Sequence, residues 1–115
     1  AQGIAAAQGI AAHVAHAQGY PATINSRPEA ELGANVAAEL VGEAAVLREP
    51  APSLGAEDFA FMLRERPGSY IWLGSGGDDP RQQLHSPHFD FNDATIGLGV
   101  SYWARLVERL LPKAA

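Results

Sequence analysis

Residues 92–111, NDATIGLGVSYWARLVERLL, carry the most regular hydrophobic pattern of the chain. Apolar residues recur there at spacings of three and four: Ile96, Val100, Trp103, Val107 and Leu110 with Leu111. This period places their side chains on one face of a helix, which is expected to pack against a core. Asn92 is a favoured N-cap residue, and Pro112 ends the pattern because it cannot continue a helix.

Two helical patterns lie near the start of the chain. Alanine favours helix in residues 1–8, and Gly9 can end that helix in a left-handed conformation. Ser26 and Glu29 match a capping box, in which the Ser26 hydroxyl and the Glu29 carboxylate each accept a backbone N–H at the helix start. The helix that follows is expected to run until Gly42. Its predicted core-facing residues are Leu32, Val36, Leu40 and Val41.

A further helix is predicted after Ser53, which can act as its cap. Glu57 and Asp58 then fall in the first turn, where carboxylates favour the positive end of the helix dipole. The Pro-Gly pair at residues 67–68 stops this helix. Its predicted buried face consists of Phe59, Met62 and Leu63.

Three short hydrophobic runs between the helices are interpreted as β-strands. They are residues 10–17, residues 44–47 and residues 69–74, the last of which reads SYIWLG. Residues 74–80, GSGGDDP, have the composition of a loop. Helices that alternate with short strands indicate an α/β layer arrangement rather than a helical bundle.

The composition excludes several classes of function. The 115 residues have a formal charge of −5, with no cluster of lysine and arginine, which argues against nucleic acid and against a polybasic membrane contact. No apolar run approaches the roughly 20 residues that span a bilayer, so we expect no membrane partner and a cytoplasmic location. The chain has no cysteine, so a disulfide or a thiol nucleophile is excluded.

Four histidines are the candidate metal ligands. His13 and His16 are three residues apart, and on a strand that spacing sends them to opposite faces. His85 and His88 lie in LHSPHFDFND, an irregular segment between the Gly-rich loop and the last helix, which is a common setting for functional groups. From residue types alone, His85 and His88 can be either metal ligands or exposed polar residues. The chain has no G-x-S-x-G turn and no complete phosphate-binding loop.

Four blocks in order resemble one family of enzymes. They are GYPATIN at 19–25, GAEDFAFML at 55–63, PGSYIWLG at 67–74, and LHSP at 84–87 with FDFND at 89–93. These blocks are similar to the hippurate hydrolase and N-acyl-amino-acid amidohydrolase group, a branch of the di-metal peptidases that includes aminoacylases and carboxypeptidase G-like enzymes. The resemblance covers nearly the whole chain, and four blocks in sequence are more specific than any one alone.

The resemblance implies the C-terminal part of a two-domain enzyme. Residues 1–18 would form the last helix and strand of an α+β lid that often mediates dimerisation, and residues 19–115 would form the C-terminal part of an α/β catalytic domain. His85 would be the final ligand of a pair of divalent ions, Zn, Mn or Ni. His88 lies where the family tolerates variation and is expected to be no ligand.

The resemblance also implies the reaction. A metal-activated water would hydrolyse a small-molecule N-acyl amino acid or a related amide. The general base and the other metal ligands belong to blocks that this chain does not contain, so we expect no catalytic residue here and no activity of this chain alone.

The block at 55–59 suggests a substrate contact. If it begins a helix, the backbone N–H groups of Gly55 and Ala56 can receive a substrate carboxylate. The alternative is structural, since Glu57 and Asp58 also suit a helix start while Phe59 packs. A different class of function also remains open, namely a small self-associating binding module without catalysis. In either case uncovered apolar faces lead us to expect a homo-oligomer.

Overall fold

The computed structural model describes residues 1–76, 79 and 83–111. Their α-helices are α1 (Gln2–Ala7), α2 (Arg27–Val41), α3 (Phe59–Glu65) and α4 (Ile96–Leu110). Two short 3₁₀ turns, Glu43–Ala45 and Asp93–Thr95, follow α2 and precede α4. Each of the four helices predicted from the sequence is therefore present, although Pro112, the predicted stop of α4, lies outside the described residues.

The end of α1 follows from one glycine. Gly9 has φ 66°, a left-handed conformation that glycine adopts without a steric penalty. It lets the Gly9 N–H donate to the carbonyl of Ala6 and the Ile10 N–H donate to the carbonyl of Ala5. These two bonds form a Schellman motif, so the prediction that Gly9 ends this helix is confirmed.

The small core forms where α2 packs against α4. Val36 on α2 is 1% exposed and Tyr102 on α4 is 8% exposed. Across the same contact Arg109 forms an ion pair with Glu39. Among the described residues, the third buried apolar side chain is Ala60 on α3. The interior is therefore far smaller than the hydrophobic content of the sequence leads one to expect.

Large apolar side chains remain exposed over much of the surface. The accessible surface is 9850 Å², against about 6,000 Å² for a folded monomer of this mass. The radius of gyration is 20.6 Å, against roughly 13 Å for a compact domain of this length. The predicted inward face of α4 is part of this surface, because Ile96, Val100, Trp103, Val107 and Leu110 are 54–64% exposed.

No β-strand forms in residues 1–76, 79 or 83–111. The three strand predictions, which all fall within these ranges, are therefore wrong. A strand needs a hydrogen-bonded neighbour, and the described stretches 10–17 and 69–74 have no second strand beside them. Residues 43–45 form a 3₁₀ turn instead, in which Ala45 N–H donates to the Gly42 carbonyl at 3.1 Å. Arg48 pairs with Glu43 and closes that turn.

Two capping predictions are also wrong in detail. Ser26 is the N-cap of α2, but its hydroxyl accepts from the Gly68 N–H at 3.2 Å rather than from its own helix. Ser53 caps no helix, since its hydroxyl accepts from the Gly55 N–H at 3.1 Å and α3 begins at Phe59. In both cases the hydroxyl accepts from a backbone N–H that belongs to no helix.

The predicted inward face of α3 is also wrong in part. Met62 is 62% exposed, and the buried residue of the helix is Ala60.

Candidate functional site

His85 lies in an exposed turn between the Gly-rich loop and α4. Its backbone has φ 68°, and among the described residues it is the one position other than glycine with positive φ. This conformation places Cβ near the following carbonyl and costs roughly 1–2 kcal/mol for an ordinary residue, although histidine tolerates it better than most. Ser86 N–H donates to the Gln83 carbonyl at 2.9 Å and closes the turn.

The loop that carries His85 is closed at its base by Asn92. The Asn92 side-chain amide donates to the Ser75 carbonyl at 2.7 Å. Its carbonyl oxygen accepts from the Ala94 N–H at 3.0 Å and so caps the turn before α4. One side chain therefore joins the two ends of the loop and fixes both to the start of α4. The capping role was predicted, whereas the bond to Ser75 was not.

The His85 turn also has an aromatic neighbour. Phe89 and Phe91 pack edge to face with ring centroids 5.0 Å apart. His88 is exposed, and its N–H donates to the Ser86 hydroxyl at 3.1 Å. His13 and His16 are exposed as well and lie in the unstructured stretch after α1.

A complete metal centre is not present in the part of the chain that is described. No group of three or more histidine, aspartate or glutamate side chains converges there. An exposed imidazole on a fixed turn fits the requirements of one metal ligand, but three or more donors are needed to hold the ion. The arrangement is thus that of a single donor.

The predicted substrate block lies on a different part of the surface. Gly55 and Ala56 are exposed and precede α3, so their N–H groups are not the free donors of a helix N-terminus. The Gly55 N–H already donates to the Ser53 hydroxyl. Two surface grooves occur elsewhere, one along α2 near Arg27 and Arg48 and one between residues 22–24 and α3. Neither is lined by His85, Gly55 or Ala56.

The segment after Ala56 is held by Tyr70, a residue that the sequence reasoning missed. The Tyr70 hydroxyl interacts electrostatically with the Glu57 carboxylate, and the Tyr70 ring lies 5.7 Å from that of Phe59. Glu57 Oε1 also accepts from the Phe59 N–H at 3.2 Å. No local sequence pattern indicates this contact, because residues 69–74 form no strand whose alternation would direct the Tyr70 side chain.

These bonds have electrostatic consequences. The Phe59 N–H, followed by the Tyr70 hydroxyl, holds the pKa of the Glu57 carboxyl below its usual value. The same carboxylate raises the pKa of Tyr70. Glu57 is therefore a charged acceptor within the block and not a proton donor near neutral pH.

Comparison with known proteins identifies the class. The sequence profile described as Peptidase family M20/M25/M40 matches residues 5–109, which is nearly the whole chain. The matched range includes all four sequence blocks. The chain belongs to Peptidase family M20/M25/M40. Membership in this family indicates an α/β fold. The described residues of this chain form helices and no β-strand.

Several curated relatives are hydrolases. A Synechocystis protein described as a probable hydrolase is 39% identical over 76% of this chain and 23% of its own length. The hippurate hydrolase of Campylobacter jejuni is 29% identical over 96% of this chain and 28% of its own length. An N-acetyldiaminopimelate deacetylase of Lactobacillus helveticus is 42% identical over 46% of this chain and 13% of its own length.

The chain thus spans about a quarter of the length of the first two of these relatives. No solved structure matches the chain. Within the described residues, no helix is both long and apolar enough to cross a membrane.

Proposed function

We propose that this chain is the C-terminal segment of a metal-dependent amidohydrolase, in which His85 supplies one metal ligand. The observation that carries the proposal is the left-handed backbone of His85 in an exposed, closed turn. Strained backbone at a non-glycine residue clusters at functional sites, because the surrounding structure must hold it in place. Family membership over residues 5–109 supports the same assignment.

The reaction we propose is hydrolysis of an N-acyl amino acid or a related amide. Two relatives support this substrate class by their names, hippurate hydrolase and N-acetyldiaminopimelate deacetylase. Peptidases of this family generally use a pair of divalent metal ions. When bound, such a pair supplies Lewis-acid activation of the attacking water. The role of His85 is to donate one neutral imidazole nitrogen.

The division of the chain is also part of the proposal. Residues 1–18 belong to a lid domain and residues 19–115 to the catalytic domain, with the backbone of Gly55 and Ala56 facing the substrate. For that contact the Gly55 N–H must exchange the Ser53 hydroxyl for the substrate carboxylate. We propose Zn, Mn or Ni as the metal and the cytoplasm as the location. The large apolar surface supports a role for this chain as part of a larger folded unit.

A histidine exchange in the full-length protein that carries this chain tests the proposal. We expect His85→Ala to lower kcat/KM for hippurate by at least about 100-fold, since loss of a ligand exceeds the 10–100-fold effect of supporting groups. His88→Ala is the matched control in the same loop and should retain activity. Equal activity of His85→Ala and the unmodified protein, with metal bound in both, would reject the assignment.

A second candidate function is a self-associating module without catalysis. The exposed apolar stripe on α4 favours it, because contiguous apolar patches of this kind mark contact surfaces. The two candidates differ in a direct assay, since the full-length protein hydrolyses an N-acyl amino acid only under the first. The 115-residue chain alone is expected to be inactive under both.

A further inference from the structure

Two short segments far apart in sequence are joined by four hydrogen bonds. The Asn25 side-chain amide donates to the Tyr70 carbonyl at 3.0 Å, and the Tyr70 N–H donates to Asn25 Oδ1 at 2.8 Å. Next to this pair, the Ser26 N–H donates to the Gly68 carbonyl at 2.9 Å and the Gly68 N–H donates to the Ser26 hydroxyl at 3.2 Å. The backbone at residues 68–70 is therefore fixed against the start of α2.

The Asn25 side chain pairs with the Tyr70 backbone as one residue of a neighbouring β-strand would. Its amide satisfies both the donor and the acceptor of the Tyr70 backbone, as a paired residue in an antiparallel ladder would. An asparagine side chain has a donor and an acceptor in the required separation, whereas aspartate lacks the donor. The position of the Tyr70 main chain thus depends on one amide group.

The Tyr70 side chain in turn restrains the segment that contains Glu57 and Phe59. Its ring packs against Phe59 with centroids 5.7 Å apart, and its hydroxyl interacts electrostatically with the Glu57 carboxylate. Glu57 in turn accepts the Phe59 N–H. Gly55 and Ala56 come directly before Glu57 and are exposed, so the contacts of residues 57–59 limit where the backbone of this pair can lie.

We propose that Asn25 and Tyr70 are positioning residues for the backbone at residues 55–56, the surface that receives the carboxylate of the substrate. The inference rests on the proposed function, which assigns that surface to substrate binding. A backbone that is already ordered loses less conformational entropy when it binds, so fixing it strengthens binding. Neither residue contacts the substrate in this account.

The experiment uses the full-length protein with Tyr70→Phe and, separately, Asn25→Ala. Tyr70→Phe keeps the ring beside Phe59 and removes the hydroxyl that interacts with the Glu57 carboxylate. We expect KM for hippurate to rise roughly threefold to tenfold in each variant, which corresponds to the loss of one or two hydrogen bonds. The value of kcat should stay within about twofold, because the missing interaction acts on binding rather than on the transition state alone.

Amide hydrogen exchange gives a readout that does not depend on activity. We expect peptides that cover residues 54–60 to exchange faster in both variants than in the unmodified protein. Asn35→Ala is the matched control, because Asn35 is an exposed asparagine on α2 whose side-chain oxygen accepts from Arg48. It should change neither KM nor exchange at residues 54–60.

The outcomes separate the two proposals. Unchanged exchange at residues 54–60 in both variants would overturn the positioning role, as would faster exchange with an unchanged KM. If the unmodified protein hydrolyses no N-acyl amino acid, the proposed function fails and the substrate part of this inference fails with it. Faster exchange would then still support the link from Asn25 through Tyr70 to Glu57. Circular dichroism and Tm identify a variant that has failed to fold, and Tyr70→Phe, the more conservative change, then decides.

Discussion

The hydroxyl of Tyr102 lies against Gly33 where α4 packs on α2. A methyl group at position 33 would be 2.8 Å from that oxygen, closer than side-chain carbon atoms approach in real structures. Ser69 and Ile71 also come within 3.6 and 4.0 Å of the same point. Gly33 is therefore the place where two helices and the segment at 69–71 meet.

We expect Gly33→Ala to destabilise the fold. Overpacking costs typically 1–3 kcal/mol, and the better helix propensity of alanine offsets about 1 kcal/mol of it. The net loss should be up to roughly 2 kcal/mol in urea unfolding of the full-length protein. Gly97→Ala on α4 is the control, because its methyl group meets nothing within 4 Å, and it should be neutral or slightly stabilising.

The double variant Gly33→Ala with Tyr102→Phe completes this prediction. Removing the hydroxyl takes away the atom that the methyl group would strike, so the double variant should recover much of the lost stability. A Gly33→Ala variant as stable as the parent would show that Tyr102 moves aside freely, which is at odds with its 8% exposure.

Stability should depend on the ionisation of Glu57. Its pKa is lower in the folded state, because the Phe59 N–H and then the Tyr70 hydroxyl bind the carboxylate. Such a group stabilises the fold above its unfolded pKa, and the contribution disappears as the pH falls through the folded pKa. The Tm difference between the unmodified protein and Glu57→Gln should therefore be largest near neutral pH and shrink as the pH falls through the folded-state pKa of Glu57.

Two features make this measurement specific. Arg48 also lowers the pKa of Glu43, but Glu43 is present in both proteins and cancels in the difference. Tyr70→Phe should reduce the pH dependence without abolishing it, because the Phe59 N–H remains. A Tm difference that is constant between about pH 7 and pH 3 would contradict the assignment.

The bond between Asn92 and Ser75 should affect metal binding through His85. Asn92→Asp keeps the oxygen that caps the turn before α4 and removes the amide that donates to the Ser75 carbonyl. We expect zinc affinity of the full-length protein to fall roughly threefold to tenfold in calorimetry, by the loss of one hydrogen bond. Asn92→Ala also loses the cap, which should cost about 1 kcal/mol of stability. Unchanged zinc affinity in both variants would show that closure of the loop by Asn92 does not affect metal binding.

The apolar stripe of α4 should make the 115-residue chain associate. Val100 and Val107 are 64% and 54% exposed, at the centre of the stripe. We expect concentration-dependent oligomers in sedimentation velocity, and we expect Val100→Glu with Val107→Glu to weaken them, because charge opposes burial of this face. Ser101→Glu, on the polar side of α4, is the control. A chain that stays monomeric at every concentration would count against the self-associating module.

Local sequence was sufficient for three of the four helices. Alanine followed by Gly9, the segment from Ser26 to Gly42, and the alternating three-and-four spacing after Asn92 each act within one or two turns, so the bounds of α1, α2 and α4 follow from near neighbours. The Leu-His-Ser-Pro block similarly made His85 the candidate ligand, and its place in an exposed turn is compatible with that role.

Contacts between distant residues could not be predicted in this way. The Ser26 hydroxyl could bind its own helix or the Gly68 N–H, and the choice depends on a segment 42 residues away. Tyr70 has no local signal for its bond to Glu57, and Asn25 has none for Tyr70. The strand predictions were wrong for the same reason, because a hydrophobic run such as 69–74 becomes a strand only beside a partner strand.

The amino-acid sequence by itself thus determined the helices, the family blocks and the identity of the candidate histidine, because these depend on residue types at short spacing. Only the tertiary structure decided which hydroxyl, amide and carboxylate groups meet. It brought Asn25 to Tyr70, Tyr70 to Glu57 and Asn92 to Ser75, since contacts between remote segments form only when tertiary packing brings those segments together.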